Sequence, residues 1–256
     1  MKYAFLCLIC AFAAPAMAAV QLEAVDYEVD GAPFQGFVAY DDANTEAKPG
    51  VLVVHEWWGI TDHPKESAKK LAELGYVAFV VDMYGKGKVT EDPGKASEWA
   101  GEMKTDPKAA RTRFTAAMDQ LKAREDVDGG NLGAIGYCFG GTMVLEMARL
   151  GLPLKGVVSF HGGLTSQVPG DEQDIKASIL VCHGADDPHV KLDEVNAFWQ
   201  EMQEAKADWQ LIAYGGAQHS FTNPKADFPG AKYDEKAAER SWEDMKDFFA
   251  NVLKGE

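Results

Sequence analysis

The sequence is short of basic residues and of cysteine. Its 256 residues hold 25 Lys and Arg against 40 Asp and Glu, so the formal net charge is −15, and only 4 residues are Cys. An acidic surface repels phosphate backbones and anionic lipids, because binding to either depends on Lys and Arg neutralising negative charge. We therefore expect neither nucleic acid nor a membrane surface as a partner.

Internal repeats, low-complexity tracts and bilayer-spanning apolar runs are also missing. The N-terminal apolar run, residues 4–14, is too short to span a bilayer. Lys2 precedes it and the Ala-x-Ala site Ala16-Met17-Ala18 follows, a pattern typical of a secretory signal peptide. We predict a signal peptide over residues 1–18, a single domain over residues 19–256, and a periplasmic or secreted protein. An N-terminal membrane anchor is the alternative.

Two cysteines remain after such cleavage, Cys138 and Cys182. An oxidising compartment allows two cysteines to pair. Cys182, however, lies inside an apolar strand pattern, which indicates a buried, inert thiol. We therefore expect no bridge between them.

The chain alternates short apolar runs with helical patterns. Continuous Val, Ile and Leu runs are typical of strands buried on both faces of a parallel sheet. They occupy residues 51–54, 77–81, 132–135, 157–160, 179–182 and 211–214, and the helical patterns occupy residues 64–74, 107–124, 192–206 and 235–253. Near the N-terminus, Asp30-Gly31 separates two strand patterns and predicts an antiparallel hairpin.

These patterns predict an α/β fold, a three-layer sandwich with a mostly parallel central sheet and an N-terminal antiparallel hairpin. Binding sites in such folds lie at the carboxyl ends of the strands. The Gly- and Lys-rich stretch at residues 85–95 is predicted to be a loop over the sheet.

A nucleophile turn is predicted at Gly136-Tyr137-Cys138-Phe139-Gly140, between a strand pattern and a helical pattern. A G-x-nucleophile-x-G turn needs small flanking residues, because the nucleophile is strained and lies close to the neighbouring strand and helix. A thiol at a helix N-terminus is also favoured as thiolate, its reactive form. The alternative is that Cys138 is simply a small buried residue in a Gly-rich turn.

An acid and a base follow the nucleophile in the chain order expected for this kind of enzyme. The acid is Asp186 or Asp187, directly after a predicted strand, and the base is His219, after the last strand. Such an arrangement allows the imidazole to take the thiol proton while the carboxylate holds the imidazole in place.

At these residues the sequence resembles the dienelactone hydrolase family of α/β hydrolases. The resemblance runs from Val51 to the C-terminus. Its marks are Val54-His55-Glu56-Trp57-Trp58-Gly59, Val81-Asp82-Met83-Tyr84-Gly85, the turn around Cys138, His183-Gly184-Ala185-Asp186-Asp187 and His219-Ser220-Phe221. The resemblance implies Cys138 as nucleophile, Asp187 rather than Asp186 as acid, and His219 as base.

The resemblance also implies roles for residues around this triad. Glu56 would hold the resting nucleophile as a thiol, and the backbone N–H groups of Trp57 and Phe139 would form the oxyanion hole. Five residues are expected to contact the substrate: Trp58, Tyr84, Lys86, Phe221 and Asn223.

The sequence departs from the family where a carboxylate-bearing substrate would bind. Family members that act on dienelactone use two arginines, and this chain has Lys86 and Asn223 at or near those places. Lysine does not reproduce a bidentate guanidinium contact, and asparagine is uncharged. We therefore expect small, uncharged or weakly charged esters and lactones as substrates.

No cofactor or metal is expected. A metal site built from His183, Asp186, Asp187 and His189 is the alternative for that segment, but the spacing matches no recurrent metal motif. The sequence thus predicts a monomeric hydrolase that cleaves a small ester or lactone through a Cys138 acyl-enzyme. The competing hypothesis is a non-catalytic ligand-binding or redox-responsive thiol protein on the same fold.

Overall fold

The computed structural model describes residues 19–43, 46–168, 170 and 173–255, so the predicted signal peptide lies outside the described residues. The described chain forms an α/β sandwich around an eight-stranded sheet. The strands of this sheet are β1 (Val20–Val29), β2 (Ala32–Asp41), β3 (Lys48–Val54), β4 (Val77–Val81), β5 (Val127–Tyr137), β6 (Gly156–Phe160), β7 (Ser178–Gly184) and β8 (Trp209–Tyr214).

The strand order is β1-β2-β4-β3-β5-β6-β7-β8. Strands β3 to β8 pair in parallel, whereas β1 and β2 form an antiparallel hairpin whose second strand pairs antiparallel with β4. The predicted mostly parallel sheet with an N-terminal hairpin is therefore confirmed. The parallel strands are almost wholly buried from β3 to β7, as their continuous apolar runs require.

Six helices flank the sheet within the described residues. They are α1 (Asp62–Glu73), α2 (Pro93–Thr105), α3 (Pro107–Lys122), α4 (Phe139–Arg149), α5 (Leu192–Ala205) and α6 (Glu235–Phe249). One apolar core packs α2, α3, α4 and α5 against one face of the sheet, and a second packs α1 and α6 against the other. This division produces the three layers.

The region predicted as a loop contains the start of a helix. Helix α2 begins at Pro93 because the Asp92 carboxylate accepts hydrogen bonds from the backbone N–H of Gly94 and Lys95, at 2.7 and 3.4 Å. Proline at the first helical position adds no unpaired donor. Pro93-Gly94, interpreted as a loop signal, is thus the first turn of a capped helix, and the predicted loop is correct only before it.

The sheet brings distant parts of the chain together at one edge. Strands β3, β5, β7 and β8 end at Val54, Tyr137, Gly184 and Tyr214. A small hairpin, β9 (Asp227–Phe228) and β10 (Ala231–Lys232), follows β8 and bridges to His219. Among the described residues, no helix has the length and apolar character needed for a transmembrane span.

Candidate active site

A strained turn joins β5 to α4 and carries Cys138. Cys138 has φ 54° and ψ −115°, a left-handed conformation that is unusual for a residue with a side chain. A Cβ added at Gly136 would collide with the Gly140 carbonyl group, and one added at Gly140 would collide with the Val54 carbonyl oxygen. Both glycines are therefore required by close backbone contacts, as the G-x-C-x-G pattern predicted.

Cys138, His219 and Asp187 lie in a hydrogen-bonded row. The Nε2 atom of His219 lies 3.0 Å from Cys138 Sγ, and its Nδ1 atom lies 2.8 Å from Asp187 Oδ2. The other carboxylate oxygen of Asp187 accepts hydrogen bonds from the backbone N–H of His189 and Val190, at 2.8 and 3.3 Å. The Asp187 carboxylate is thus held in place by the loop that follows β7.

The row favours the charged forms of the imidazole and the carboxylate. Burial alone would lower the pKa of His219, but its interactions with Cys138 and Asp187 outweigh burial and hold that pKa well above its ordinary value. Burial would raise the pKa of Asp187, but hydrogen bonding and attraction from His219 hold it below its ordinary value. The row therefore favours a protonated imidazole beside an ionised Asp187 carboxylate.

Glu56 is buried beside the row, but its carboxylate has partners other than the thiol. Asn223 Nδ2 donates a hydrogen bond to Glu56 Oε2 at 2.6 Å, and His63 Nδ1 lies 3.6 Å from the same oxygen. Burial would raise the pKa of Glu56, whereas His63 and Asn223 lower it, and the net shift is downward. In this structure the Cys138 thiol contacts His219, whereas Glu56 pairs with Asn223 and His63. The role expected of Glu56, keeping the resting nucleophile as a thiol, stays a prediction.

Trp57 and Phe139, whose backbone N–H groups are predicted to form the oxyanion hole, both line the cavity that contains Cys138. Phe139 is the first residue of α4, so its N–H has no partner within the helix. Trp57 directly follows Glu56 in the loop after β3, and the Tyr84 hydroxyl donates a hydrogen bond to the Trp57 carbonyl oxygen at 3.2 Å. The Phe139 ring packs on the rings of His55 and Tyr84, so the loop lies beside the turn that carries Cys138.

A cavity of about 1480 Å³ opens in front of Cys138 and His219. Trp57, Trp58 and Phe228 form an aromatic part of its wall, in which Trp58 lies 4.7 Å from the Trp57 ring and 6.2 Å from the Phe228 ring. The described lining residues include six acidic side chains, three lysines and no arginine. The lining is therefore apolar in part and carries a net negative charge.

Only two of the five residues expected to contact the substrate, Trp58 and Asn223, line this cavity. Lys86 lies on the surface, where its ammonium group pairs with Asp26 at 2.6 Å. Tyr84 is buried behind the Trp57 loop, packed on Trp99 and Phe139. Phe221 is fully buried beneath His161. The side chains of Tyr84 and Phe221 thus shape the loops rather than the cavity wall.

Sequence analysis gave no role to three residues that complete the site. His63 pairs with Glu56, while His161 and Thr222 link the turn of Cys138 to the loop of His219. His63 lies in the first turn of α1. His161 follows β6, so its place after a strand was the available signal for it. The partners of His161 and Thr222 come from elements distant in sequence, which a local pattern does not reveal.

The remaining cysteine and the alternative metal site lie outside this chemistry. Cys182 is a buried free thiol in β7, and burial raises its pKa to about 12. Within the described part of the chain, no group of three or more His, Cys, Asp or Glu side chains is arranged to hold a metal ion. Asp187 and His189, two residues of the alternative metal set, instead form the hydrogen bond described above.

A comparison with protein families matches residues 34–253 to the dienelactone hydrolase family. A protein of Aquifex aeolicus (strain VF5), provisionally named a carboxymethylenebutenolidase, is 31% identical over 242 residues, which cover 90% of this chain and 98% of that protein. "Protein usf" of Aquifex pyrophilus is 29% identical, covering 90% of this chain and 98% of that protein.

Solved structures agree with this assignment. A dienelactone hydrolase-like promiscuous phosphotriesterase from metagenomic libraries superposes with a TM-score of 0.88 at 41% identity, covering 92% of this chain and 99% of that one. A dienelactone hydrolase-family structure from Klebsiella pneumoniae superposes with a TM-score of 0.78 at 22% identity, covering 91% of this chain and 99% of that one, and supports the fold alone.

Proposed function

Because the chain belongs to the dienelactone hydrolase family, a family of hydrolases, we propose that it hydrolyses small, uncharged carboxylic esters or lactones with Cys138 as nucleophile. The observation that carries the proposal is the row of hydrogen bonds, with 3.0 Å between Cys138 Sγ and His219 Nε2 and 2.8 Å between His219 Nδ1 and Asp187 Oδ2. A nucleophile, a base and an orienting carboxylate in contact are the signature of covalent acyl transfer.

In the first half-reaction, Cys138 Sγ attacks the substrate carbonyl carbon while His219 holds the thiol proton. The negative oxygen that develops accepts hydrogen bonds from the backbone N–H of Phe139 and of Trp57. The carbon–oxygen bond then breaks, and His219 Nε2 gives its proton to the departing alkoxide. The product of this half-reaction is an alcohol and a thioester on Cys138.

In the second half-reaction, water replaces the alcohol beside the thioester. His219 takes a proton from the water, whose oxygen attacks the thioester carbon. The carbon–sulfur bond breaks, the carboxylic acid leaves, and the proton held by His219 restores the starting state. Asp187 stays ionised and stabilises the imidazolium in both half-reactions.

The cavity supports uncharged substrates rather than carboxylates. Its described lining holds twice as many acidic side chains as lysines and no arginine, and Lys86 is paired with Asp26 on the surface. An anionic substrate would enter against this charge, whereas an apolar acyl group would pack on Trp57 and Trp58. Glu56, held by Asn223 and His63, adds a buried negative charge to the same wall.

Phosphotriester hydrolysis is a second candidate. The structural relative that is 41% identical is described as a promiscuous phosphotriesterase. A phosphotriester is uncharged and also accumulates negative charge on an oxygen when a nucleophile attacks, so the same cavity and N–H donors would suit it. A paraoxon-type triester therefore belongs in the substrate panel.

The test is steady-state hydrolysis of p-nitrophenyl acetate, small lactones and a p-nitrophenyl phosphotriester by residues 19–256 under reducing conditions. We expect multiple turnovers, and a loss of about a thousandfold or more in kcat for Cys138→Ser and His219→Ala. Cys182→Ala, which removes the other described thiol at a buried place that does not line the cavity, is the matched control and should retain the activity. The competing hypothesis, a non-catalytic ligand-binding or redox-responsive thiol protein, would instead be supported by a single burst of product equal to the enzyme concentration. It would also be supported if no product formed while Cys138 could still be alkylated.

A further inference from the structure

His161 occupies a place between the nucleophile and the base that the proposed reaction does not use. It follows β6, is 1% exposed, and has φ 42°. A left-handed conformation is costly for a residue with a side chain, and it persists where surrounding contacts hold it. Its neighbours Gly162 and Gly163 would adopt such a conformation at lower cost, so the position of a histidine there calls for a reason in its side chain.

Both ring nitrogens of His161 make hydrogen bonds, one with the Cys138 turn and the other with the loop that follows His219. The Cys138 backbone N–H is shared between two acceptors, the Phe160 carbonyl oxygen at 3.0 Å and His161 Nδ1 at 3.1 Å. Nδ1 must therefore accept, so the ring proton is on Nε2, which donates to Thr222 Oγ1 at 2.7 Å. Burial, with the neighbouring His219 and His63 charges, holds the pKa of His161 well below its ordinary value and keeps the ring neutral.

Thr222 belongs to the loop of the base. The Asn223 backbone N–H donates to the Ser220 carbonyl oxygen at 3.0 Å, which closes a turn directly after His219 with Thr222 inside it. The His161 ring also packs edge-to-face on the His219 ring, with 5.3 Å between centroids. One imidazole therefore touches the backbone of the nucleophile, the ring of the base and the turn behind the base.

From this geometry we propose that His161 is a positioning residue, which holds the Cys138 turn and the His219 loop at the separation that lets His219 accept the thiol proton. The inference rests on the proposed function for its kinetic consequence, although the contact between Cys138 and His219 can be measured without any substrate. Without the link to Thr222, the loop is free to shift relative to the turn, and the hydrogen bond between Sγ and Nε2 is populated less.

The test uses Cys182→Ala as background, so that Cys138 is the thiol that reacts, and Thr222→Val as the main variant. Valine keeps the shape of threonine but removes the oxygen that His161 Nε2 contacts. We expect the rate of Cys138 alkylation by iodoacetamide at pH 6 to fall about tenfold, as a loss of thiolate at that pH requires. We also expect kcat to fall while KM changes little.

Three further variants separate positioning from a general loss of structure. Thr222→Ser returns the hydroxyl and should recover most of the lost alkylation rate. His161→Asn, which tolerates the left-handed conformation and keeps an acceptor for the Cys138 N–H but stops short of Thr222, should resemble Thr222→Val. Thr112→Val, on the outer part of α3 and away from the cavity, is the matched control and should leave the alkylation rate unchanged.

A wild-type alkylation rate at pH 6 in folded Thr222→Val, or a change in melting temperature with no change in alkylation or kcat, would overturn the proposal. Alkylation separates this inference from the proposed function. If the protein hydrolyses none of the substrates, the alkylation rates still report whether His161 and Thr222 position His219 against Cys138.

Discussion

At the scale of single residues, the charges on Asp187 and His219 support each other. Each group has its pKa shifted toward the charged form, downward for Asp187 and upward for His219. Stability linked to a lowered carboxylate pKa is present above the unfolded value and is lost as the pH falls through the folded value. The pair should therefore stabilise the fold at neutral pH and weaken in acid.

We predict that Asp187→Asn destabilises the protein by about 1–3 kcal/mol at pH 6, because a charged hydrogen-bond acceptor in a partly buried site is lost. The difference from wild type should shrink below pH 3.8, where the Asp187 carboxylate becomes protonated as the pH approaches its folded pKa. The free energy of unfolding in urea, measured for Asp187→Asn and for wild type at several pH values, gives this difference. Asp186→Asn, at the exposed neighbouring residue, is the control, and an equal pH dependence in both variants would contradict the prediction.

A substitution at Asn223 should change the preference of the protein for charged or uncharged substrates. Asn223 lines the cavity, and its side-chain N–H donates a hydrogen bond to Glu56. For Asn223→Arg we predict a rise of about tenfold in kcat/KM for an anionic ester relative to a neutral one, because a guanidinium can pair with the carboxylate. Asn223→Gln is the uncharged control. The same ratio in the Arg and Gln variants would refute the role of charge.

Some site residues could be predicted from the sequence around them, whereas the contacts of others could not. Cys138 was predicted from the glycines around it and His219 from its place after a predicted strand, whereas position left Asp186 and Asp187 open and the family resemblance selected Asp187. The structure brings these three into contact, but their catalytic roles remain a proposal. Lys86 was assigned a substrate contact by its place in a motif, yet its ammonium group pairs with Asp26 across the loop, on strand β1. A partner 60 residues away is not visible in the motif.

At the scale of secondary-structure elements, the β5–α4 turn is the feature most sensitive to added volume. A side chain at Gly140 would meet the carbonyl groups of Val54 and His55 in strand β3 and the loop after it. We predict that Gly140→Ala costs about 3 kcal/mol or more, because backbone atoms cannot move aside as a flexible side chain can. The free energy of unfolding in urea measures this cost.

Gly101 provides the matched control for that substitution. It lies inside α2, and a Cβ there would have nothing within 4 Å. Gly101→Ala should therefore stabilise the protein by about 0.5–1 kcal/mol, since alanine favours the helix. Destabilisation by the two substitutions to the same extent would show that the close contact at Gly140 is not the cause.

Several secondary-structure elements begin at the residue that the sequence pattern predicts. The hairpin around Asp30-Gly31 and the helices beginning at Pro107, Leu192 and Glu235 start where their patterns predicted. Strand β5 begins five residues earlier than its apolar run, at Val127 instead of Leu132, because Val127 and Asp128 pair with Lys48 and Pro49 before a register shift. Pairing with a neighbouring strand extends an element beyond its own hydrophobic signal.

At the scale of the whole molecule, the chain has a formal net charge of −15, and the described lining of the cavity is also net negative. We predict that kcat/KM for an anionic ester rises several-fold between about 10 mM and about 300 mM NaCl, because salt screens the repulsion. The value for neutral p-nitrophenyl acetate should change little. Parallel falls in both values with salt would show that the molecular field does not decide which substrates enter.

Export is the second prediction at this scale. It rests on the basic, apolar and Ala-x-Ala parts of residues 1–18, which lie outside the described residues. Expression of the full chain in a bacterium with a Sec pathway should deliver a periplasmic protein whose intact mass starts at Ala19. A mass that includes residues 1–18, or recovery with the membrane fraction, would support an N-terminal anchor instead.

The sequence by itself determined the layers and the sheet, and it supplied the predicted order of nucleophile, acid and base, because these depend on local apolar patterns, on glycine at a tight turn and on chain order. Tertiary structure decided which groups touch: His63 with Glu56, His161 with Cys138 and Thr222, and Lys86 with Asp26. Such contacts depend on how strand ends and loops meet in space, and residues that are neighbours there are 7, 23, 61 and 60 positions apart in the chain.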